Sequence, residues 1–157
     1  MRRIAIVGSR HRGWQEGIPA YLQVGSERDS TFISVMLQEF RKRYPSGFCI
    51  LTLGCDAGFG RMIKLQCEEA KVGLMETIVQ FNPHLPKSYF ELLHLARHAA
   101  LIDLGHEFHI FVTKHRTSNI EDLVGRLRIL KSLPFFLYNE QHEVIETNQE
   151  QPQPAGS

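Results

Sequence analysis

The residues of this sequence with the clearest potential for chemistry form a glycine-rich turn over positions 54–58. The apolar run before it, at 48–53, predicts a buried strand, and the run after it, at 59–71, carries apolar residues at helical spacing. A glycine-rich turn between a strand and a helix points backbone N–H groups toward an anion. The turn therefore predicts a phosphate-binding loop, and the alternative is a tight turn that binds nothing. The residues of this loop are Gly54, Cys55, Asp56, Ala57 and Gly58.

A second loop of this kind, Gly8-Ser9-Arg10, follows the first apolar run at 4–7. Arginine binds phosphate through planar, bidentate hydrogen bonds, so Arg10 is a candidate ligand for an anion. Arg12 is either a second such ligand or a solvated residue. Two glycine loops in one small chain suggest a site for a nucleotide-like phosphate. Neither has the pattern of a P-loop or of a dinucleotide-binding turn, so we expect no redox cofactor.

Other polar candidates lie on the third and fourth predicted helices. Thr117, Ser118 and Asn119 precede the fourth helix, where they would cap it and leave N–H groups for a second anionic or ribose group. Arg97 lies among apolar residues of the third helix, so it either snorkels to solvent or faces a ligand cleft, and we favour the cleft. Glu121 is a candidate catalytic carboxylate or an ordinary residue of a helix start.

The histidines and cysteines do not predict a metal site. His94 and His98 share a helix face, but the sequence offers no third ligand nearby and lacks the Glu of His-Glu-x-x-His. Cys55, close to a helix start, is either a nucleophile or the replacement of a small residue. The three cysteines show no paired spacing, which favours a reduced, cytoplasmic protein.

Strands that alternate with helices must position these residues. The alternation predicts an α/β fold, a Rossmann-like three-layer sandwich with a mostly parallel sheet of about five strands. In such a sheet ligands bind outside the carboxyl ends of the strands, so we expect the candidate residues to converge on one cleft there. Because Pro134 begins the fifth strand, we place that strand near an edge. The predicted strands are 4–7, 48–53, 74–81, 108–113 and 134–138, and the predicted helices are 30–43, 59–71, 88–103 and 119–131.

Length and composition agree with one globular domain. The chain has 157 residues, of which 43% are hydrophobic and 22% charged. We expect the domain to span 1–147 and a disordered polar tail to span 148–157. A net charge of +1 gives no electrostatic argument for nucleic acid. No apolar run approaches the roughly 20 residues of a membrane span.

Four segments follow one another along the chain in a recognisable order. They are Val7-Gly8-Ser9-Arg10, the turn at 54–61, Ala96-Arg97-His98-Ala99-Ala100-Leu101 and the loop and helix start at 114–124. Together they resemble the SLOG superfamily of Rossmann-like domains, which includes YspA-like proteins, LOG phosphoribohydrolases and the DNA-processing protein DprA. The likeness covers about residues 3–138. It implies a nucleotide-type pocket, and family members often form homo-oligomers.

The chain departs from the family pattern in ways that bear on activity. Cys55 replaces the second glycine of the turn, Gly60 stands where the family has Asp, and the fourth loop contains no glycine. The first hypothesis is therefore a sensor or sequestering module that binds a nucleotide or nucleotide-derived small molecule. The second is a phosphoribohydrolase, an N-glycosidase of LOG type, with Arg97 and Glu121 as its catalytic residues. The third, single-stranded DNA binding of DprA type, lacks a basic stripe.

Overall fold

The structure, a computed structural model, describes residues 1–54, 57–77, 84–115 and 118–150, and of Ser118 the backbone alone. These residues form an α/β domain with six strands and four α-helices. The strands are β1 (Arg2–Gly8), β2 (Phe48–Thr52), β3 (Gly73–Glu76), β4 (Glu107–Phe111), β5 (Phe135–Tyr138) and β6 (Val144–Thr147). The helices are α1 (Glu27–Arg43), α2 (Phe59–Ala70), α3 (Lys87–Leu104) and α4 (Ser118–Leu130).

The sheet is mostly parallel, and its order is β3-β2-β1-β4-β5-β6. The first five strands pair in parallel, and β6 pairs with β5 in the antiparallel sense. Ile4 to Val7 of β1 and all five residues of β4 are buried, because helices cover both faces of the sheet. One core includes Ile6, Ile33 and Phe59, and the other includes Val7, Leu101 and Leu123. The predicted Rossmann-like three-layer arrangement is confirmed.

The sixth strand was not predicted from the sequence. Its four residues, Val-Ile-Glu-Thr, are exposed or half-buried, so they lack the long apolar run that marks the inner strands. After it, the side chain of Asn148 accepts from Phe135 N–H at 3.0 Å and donates to Leu133 C=O at 2.8 Å. The edge of the sheet is therefore β6, and β5 lies second from that edge.

Several helix boundaries also differ from expectation. α1 begins at Glu27 rather than at 30, because Ser26 caps it by accepting from Asp29 N–H. α2 ends at Ala70 rather than at 71, its C-cap Lys71 adopts a left-handed φ of 56°, and Gly73 is already part of β3. Pro86, not Ser88, occupies the N-cap of α3. The predicted end of the third strand, at 78–81, lies outside the described residues.

Candidate ligand-binding site at the carboxyl edge of the sheet

The strand order brings both glycine loops to one edge of the sheet. β1 lies between β2 and β4, so Gly8 and Gly54 follow neighbouring parallel strands. Ser9 continues the pairing, since its N–H donates to the carbonyl of Phe111 at the end of β4 at 2.9 Å. The chain order reverses between β1 and β4, the position where open α/β sheets bind ligands.

Gly8 permits close packing between the first strand and the second helix. A Cβ atom on Gly8 would overlap the Phe59 ring, with Cε1 only 2.7 Å away. Phe59 is fully buried at the start of α2. The glycine is therefore explained by the approach of α2 to β1, whether or not a ligand binds beside it.

The glycine-rich turn packs against the long loop that follows β1. Gly54 and Gly58 have φ of 64° and 68°, a region that favours glycine. Gly58 N–H donates to the carbonyl of Gln23 at 2.8 Å, and a Cβ on Gly58 would overlap the carbonyl oxygen of Arg10. Ala57 beside it is buried. Cys55 and Asp56 lie outside the described residues.

The two arginines of the first loop have different environments. Arg10 is exposed, whereas Arg12 is 2% exposed. Arg12 Nε and Nη2 each donate to an oxygen of Asp29 at 3.0 Å. Its guanidinium also donates to the carbonyls of Val112 at 2.7 Å and Asn139 at 2.8 Å, beyond the ends of β4 and β5. Arg12 thus links the loop after β1 to α1 and to the carboxyl ends of β4 and β5.

Asp29, in the first turn of α1, is the residue that sequence reasoning missed here. Burial raises the pKa of Asp29, but the hydrogen bonds and charge of Arg12 and a contact with His142 outweigh it, so the pKa is lowered. His142 Nε2 lies 2.6 Å from Asp29 Oδ1. In the sequence, the only indication of this ion pair was that Arg12 and Asp29 stand near the two ends of the same loop.

Two of the predicted ligand residues have buried polar atoms without a partner. Across the described part of the chain, these atoms are Ser9 Oγ and Arg97 Nε. Ser9 is 4% exposed and lies at the reversal point between β1 and β4. Arg97 is half-buried on α3, with one Nη atom 3.5 Å from His94 Nδ1. A buried donor without a partner costs free energy, so both atoms call for an explanation.

One polar contact between α3 and α4 joins the residues next to the two predicted catalytic residues. His98 Nδ1 lies 2.9 Å from Asp122 Oδ2, one residue further along each helix. Glu121 is exposed, and its charge acts on Arg128, seven residues along the same helix. Burial raises the pKa of Asp122, but hydrogen bonds from His98 and Arg126 outweigh it and lower the pKa.

The segment after β4 borders a cavity of about 310 Å³ at the same edge. Thr113 Oγ1 donates to the carbonyl of His115 at 2.8 Å, and Lys114 N–H donates to Glu140 at 3.2 Å. Asn119 is exposed in the first turn of α4, where Ser118 is the first helical residue. Thr117 lies outside the described residues. The cavity is lined by Val112, Thr113, Lys114, Asn139, Glu140, Gln141 and Ile145.

Two negative findings apply to the described residues alone. They contain no group of three or more His, Cys, Asp and Glu side chains that could hold a metal ion. None of their helices is both long enough and apolar enough to cross a bilayer.

The carboxyl edge thus combines two glycine loops, of which the first carries the buried hydroxyl of Ser9, while Arg97 with its half-buried guanidinium lies on α3. The chain matches no protein-family model, no curated protein and no solved structure.

Proposed function

We propose that this protein binds a nucleotide or nucleotide-derived small molecule at the carboxyl edge of its sheet, as a cytoplasmic sensor or sequestering module. The observation that carries the proposal is the buried hydroxyl of Ser9, which has no partner among the described residues and lies where the strand order reverses. Ligands of open α/β sheets bind at this position.

The unpartnered hydroxyl of Ser9 is costly in the free protein. Leaving a buried donor or acceptor unsatisfied costs about 1–3 kcal/mol, and native proteins rarely do so without a reason. A phosphate or ribose oxygen bound beside Gly8 would satisfy Ser9 and would recover that cost on binding. The hydrogen bond from Ser9 N–H to the carbonyl of Phe111 holds the backbone of Ser9 at the end of β4.

The ligand class follows from charge and from the glycine loops. Arg97 supplies a cation whose Nε is buried without a partner, and guanidinium groups bind phosphate bidentately. The positive φ of Gly54 suits a turn that exposes N–H groups to an anion. The N–H of Gly58 is already donated to Gln23, so Gly58 shapes the turn and leaves no N–H for the anion. The resemblance to SLOG domains favours a nucleotide over a free phosphate as the source of that anion.

The geometry favours ligand binding without efficient turnover over hydrolysis of the ligand. The phosphoribohydrolase hypothesis needs Arg97 and Glu121 to act on one ligand. Glu121, however, is exposed and interacts with the charge of Arg128, and the neighbouring residues His98 and Asp122 make a polar contact between the two helices. Hydrolysis is therefore an outcome that the binding experiment must test.

The experiment is a thermal-shift screen with nucleoside mono-, di- and triphosphates and cyclic nucleotides, followed by calorimetric titration of each hit. A ligand that binds only the folded state raises the melting temperature as its concentration rises. Chromatography of the same incubations reports any free base. If no member of the panel raises the melting temperature, the proposal is wrong, and stoichiometric release of base would replace it with the enzyme hypothesis.

Ser9→Ala tests the site with two readouts of opposite sign. Removal of an unsatisfied buried hydroxyl should leave the free protein as stable as before, or up to about 1 kcal/mol more stable. The same change should weaken ligand binding by about 1 kcal/mol, roughly fivefold. Arg97→Ala should weaken it by about 1.5–3 kcal/mol, because a charge-assisted bond is lost. Arg43→Ala, an exposed arginine at the last residue of α1, is the matched control and should bind as the unchanged protein does.

A further inference from the structure

The outward face of α3 carries apolar side chains that a single chain leaves exposed. Eleven of its 18 residues are apolar, yet of the whole helix only His98 and Leu101 are buried. Leu92 is 60% exposed and Tyr89 is 46% exposed. At the end of the neighbouring α4, Ile129 is 80% exposed. A helix with apolar residues on more than one side is normally covered on more than one side.

The exposed residues Leu92, Ala96 and Asp103 and the half-buried Ala99 form one stripe along the helix. Leu92, Ala96, Ala99 and Asp103 follow one another at spacings of three and four, on the side opposite Leu101. The two alanines at its centre would let another helix approach closely. A cavity of about 300 Å³ between α3 and α4 extends the stripe. That cavity is lined by Ala99, Ile102, Asp103, Arg126, Ile129 and Leu130.

The ends of the stripe carry the wrong charges for an isolated helix. Asp103 lies in the last turn, where the helix dipole disfavours a negative charge. The first turn has no acidic residue, and Pro86 at the N-cap makes no side-chain capping bond. The positive N-terminal end of α3 thus lacks an anion, and the negative C-terminal end carries one. Each end would be compensated by the opposite end of a second, antiparallel α3 helix.

We propose that this face pairs with a second copy of the chain, with the two α3 helices antiparallel about a two-fold axis near Ala96. Leu92 then packs against the partner subunit's Ala99. Asp103 lies beside the start of the partner helix and compensates its dipole, and the same contact is repeated on the other side of the axis. Two-fold pairing satisfies both ends at once because the stripe is complementary to itself. The inference is independent of the proposed ligand.

Sedimentation equilibrium on the full chain tests the apolar centre. We expect a reversible dimer, and Leu92→Glu should weaken it at least a hundredfold, because two unpaired carboxylates would be buried per dimer. Val35→Glu is the control, since Val35 is also an exposed apolar residue, 51% exposed, but lies on α1. It should dimerise as the unchanged chain does. A monomeric unchanged chain, or a Leu92→Glu dimer of unchanged affinity, would overturn the proposal.

Charge substitutions test the antiparallel geometry. Ser88→Asp and Asp103→Lys each improve the dipole match of their own helix, so the fold should be kept or stabilised. Each should nevertheless weaken the dimer roughly three- to tenfold, the first by repulsion from Asp103 of the partner subunit and the second by loss of its attraction. The double variant places opposite charges together and should restore dimer affinity. Additive weakening in the double variant would rule out this arrangement.

Discussion

At the scale of single residues, the most consequential side chain is Arg12. Its guanidinium joins three parts of the molecule: Asp29 at the start of α1, the carbonyl of Val112 after β4 and the carbonyl of Asn139 after β5. The ion pair is buried on both sides, with side chains 2% and 4% exposed. A buried charge that loses its partner is costly, so this contact stabilises the packing of the loop after β1 against the edge of the sheet.

Replacement of Arg12 by Met should therefore destabilise the protein strongly. The change leaves the Asp29 carboxylate buried with only His142 beside it, and we expect a loss of about 3–5 kcal/mol in urea unfolding. Arg10→Met, two residues away and exposed, should cost less than about 0.5 kcal/mol. A matched pair of variants with equal stability would mean that the ion pair contributes nothing to the fold.

At the scale of elements, the strand–turn–helix unit of β2 and α2 shows how a glycine turn is held. Gly58 lies under the carbonyl of Arg10 and donates to Gln23, so the turn and the first loop fix one another. The packing of Phe59 on Gly8 adds a second contact between the same parts. The anion-binding geometry proposed for this turn depends on these contacts within the protein.

Gly58→Ala should separate backbone strain from steric overlap when it is compared with Gly17→Ala. Both glycines have positive φ, 68° and 78°, but a Cβ at Gly17 meets nothing within 4 Å. Strain alone costs of order 1 kcal/mol, so we expect about that loss at Gly17 and at least 1–2 kcal/mol more at Gly58. Chemical denaturation measures both. Equal losses would show that the Arg10 carbonyl moves aside without cost.

At the scale of the whole molecule, a buried polar chain crosses the core beneath the helices. Glu107 accepts from Arg2 and Tyr44, and its other oxygen lies 2.7 Å from His109 Nε2. His109 Nδ1 lies 2.7 Å from Tyr138 Oη. With Glu107 ionised, a neutral His109 donates to it and accepts from Tyr138, so each group has a partner. The chain links β1, α1, β4 and β5.

This buried chain should make the protein sensitive to acid. Burial raises the pKa of Glu107, but hydrogen bonds from His109 and Tyr44 and the charge of Arg2 lower it from 4.5 to about 2. Burial lowers the pKa of His109 below its ordinary 6.5, despite Glu107. In both cases the unfolded chain takes up the proton first as the pH falls. Stability should thus decline below about pH 6.5 and most steeply between pH 5 and 2.

Equilibrium unfolding between pH 8 and 3 measures this decline. Glu107→Gln should lower stability at pH 7 and flatten the slope below pH 5, since the Glu107 contribution, roughly 3 kcal/mol, is removed. Glu39→Gln, at an exposed glutamate of α1, is the control and should keep the unchanged slope. An unchanged slope in Glu107→Gln would assign the acid sensitivity to other groups, of which Asp29 is the next candidate, since its pKa is also lowered.

The sequence by itself determined the layered α/β architecture, because local patterns are enough for it. Apolar runs followed by glycine, as at 4–7 and 48–53, predict inner strands. Apolar residues at helical spacing between these runs predict the crossover helices. The convergence of Gly8 and Gly54 on one edge followed from the parallel topology alone. β6 was not predicted because a short edge strand with one face in solvent lacks the long apolar run that marks an inner strand.

Only the tertiary structure decided which polar residues are used within the protein and which are left over. Arg10 and Arg12 are equivalent as sequence, but Arg12 reaches Asp29 and two strand ends distant along the chain, whereas Arg10 faces solvent. Ser9 became the strongest ligand candidate because burial removed water from its hydroxyl and no described residue replaced it. The physical reason is that hydrogen-bond satisfaction depends on contacts between distant segments, which local spacing does not encode.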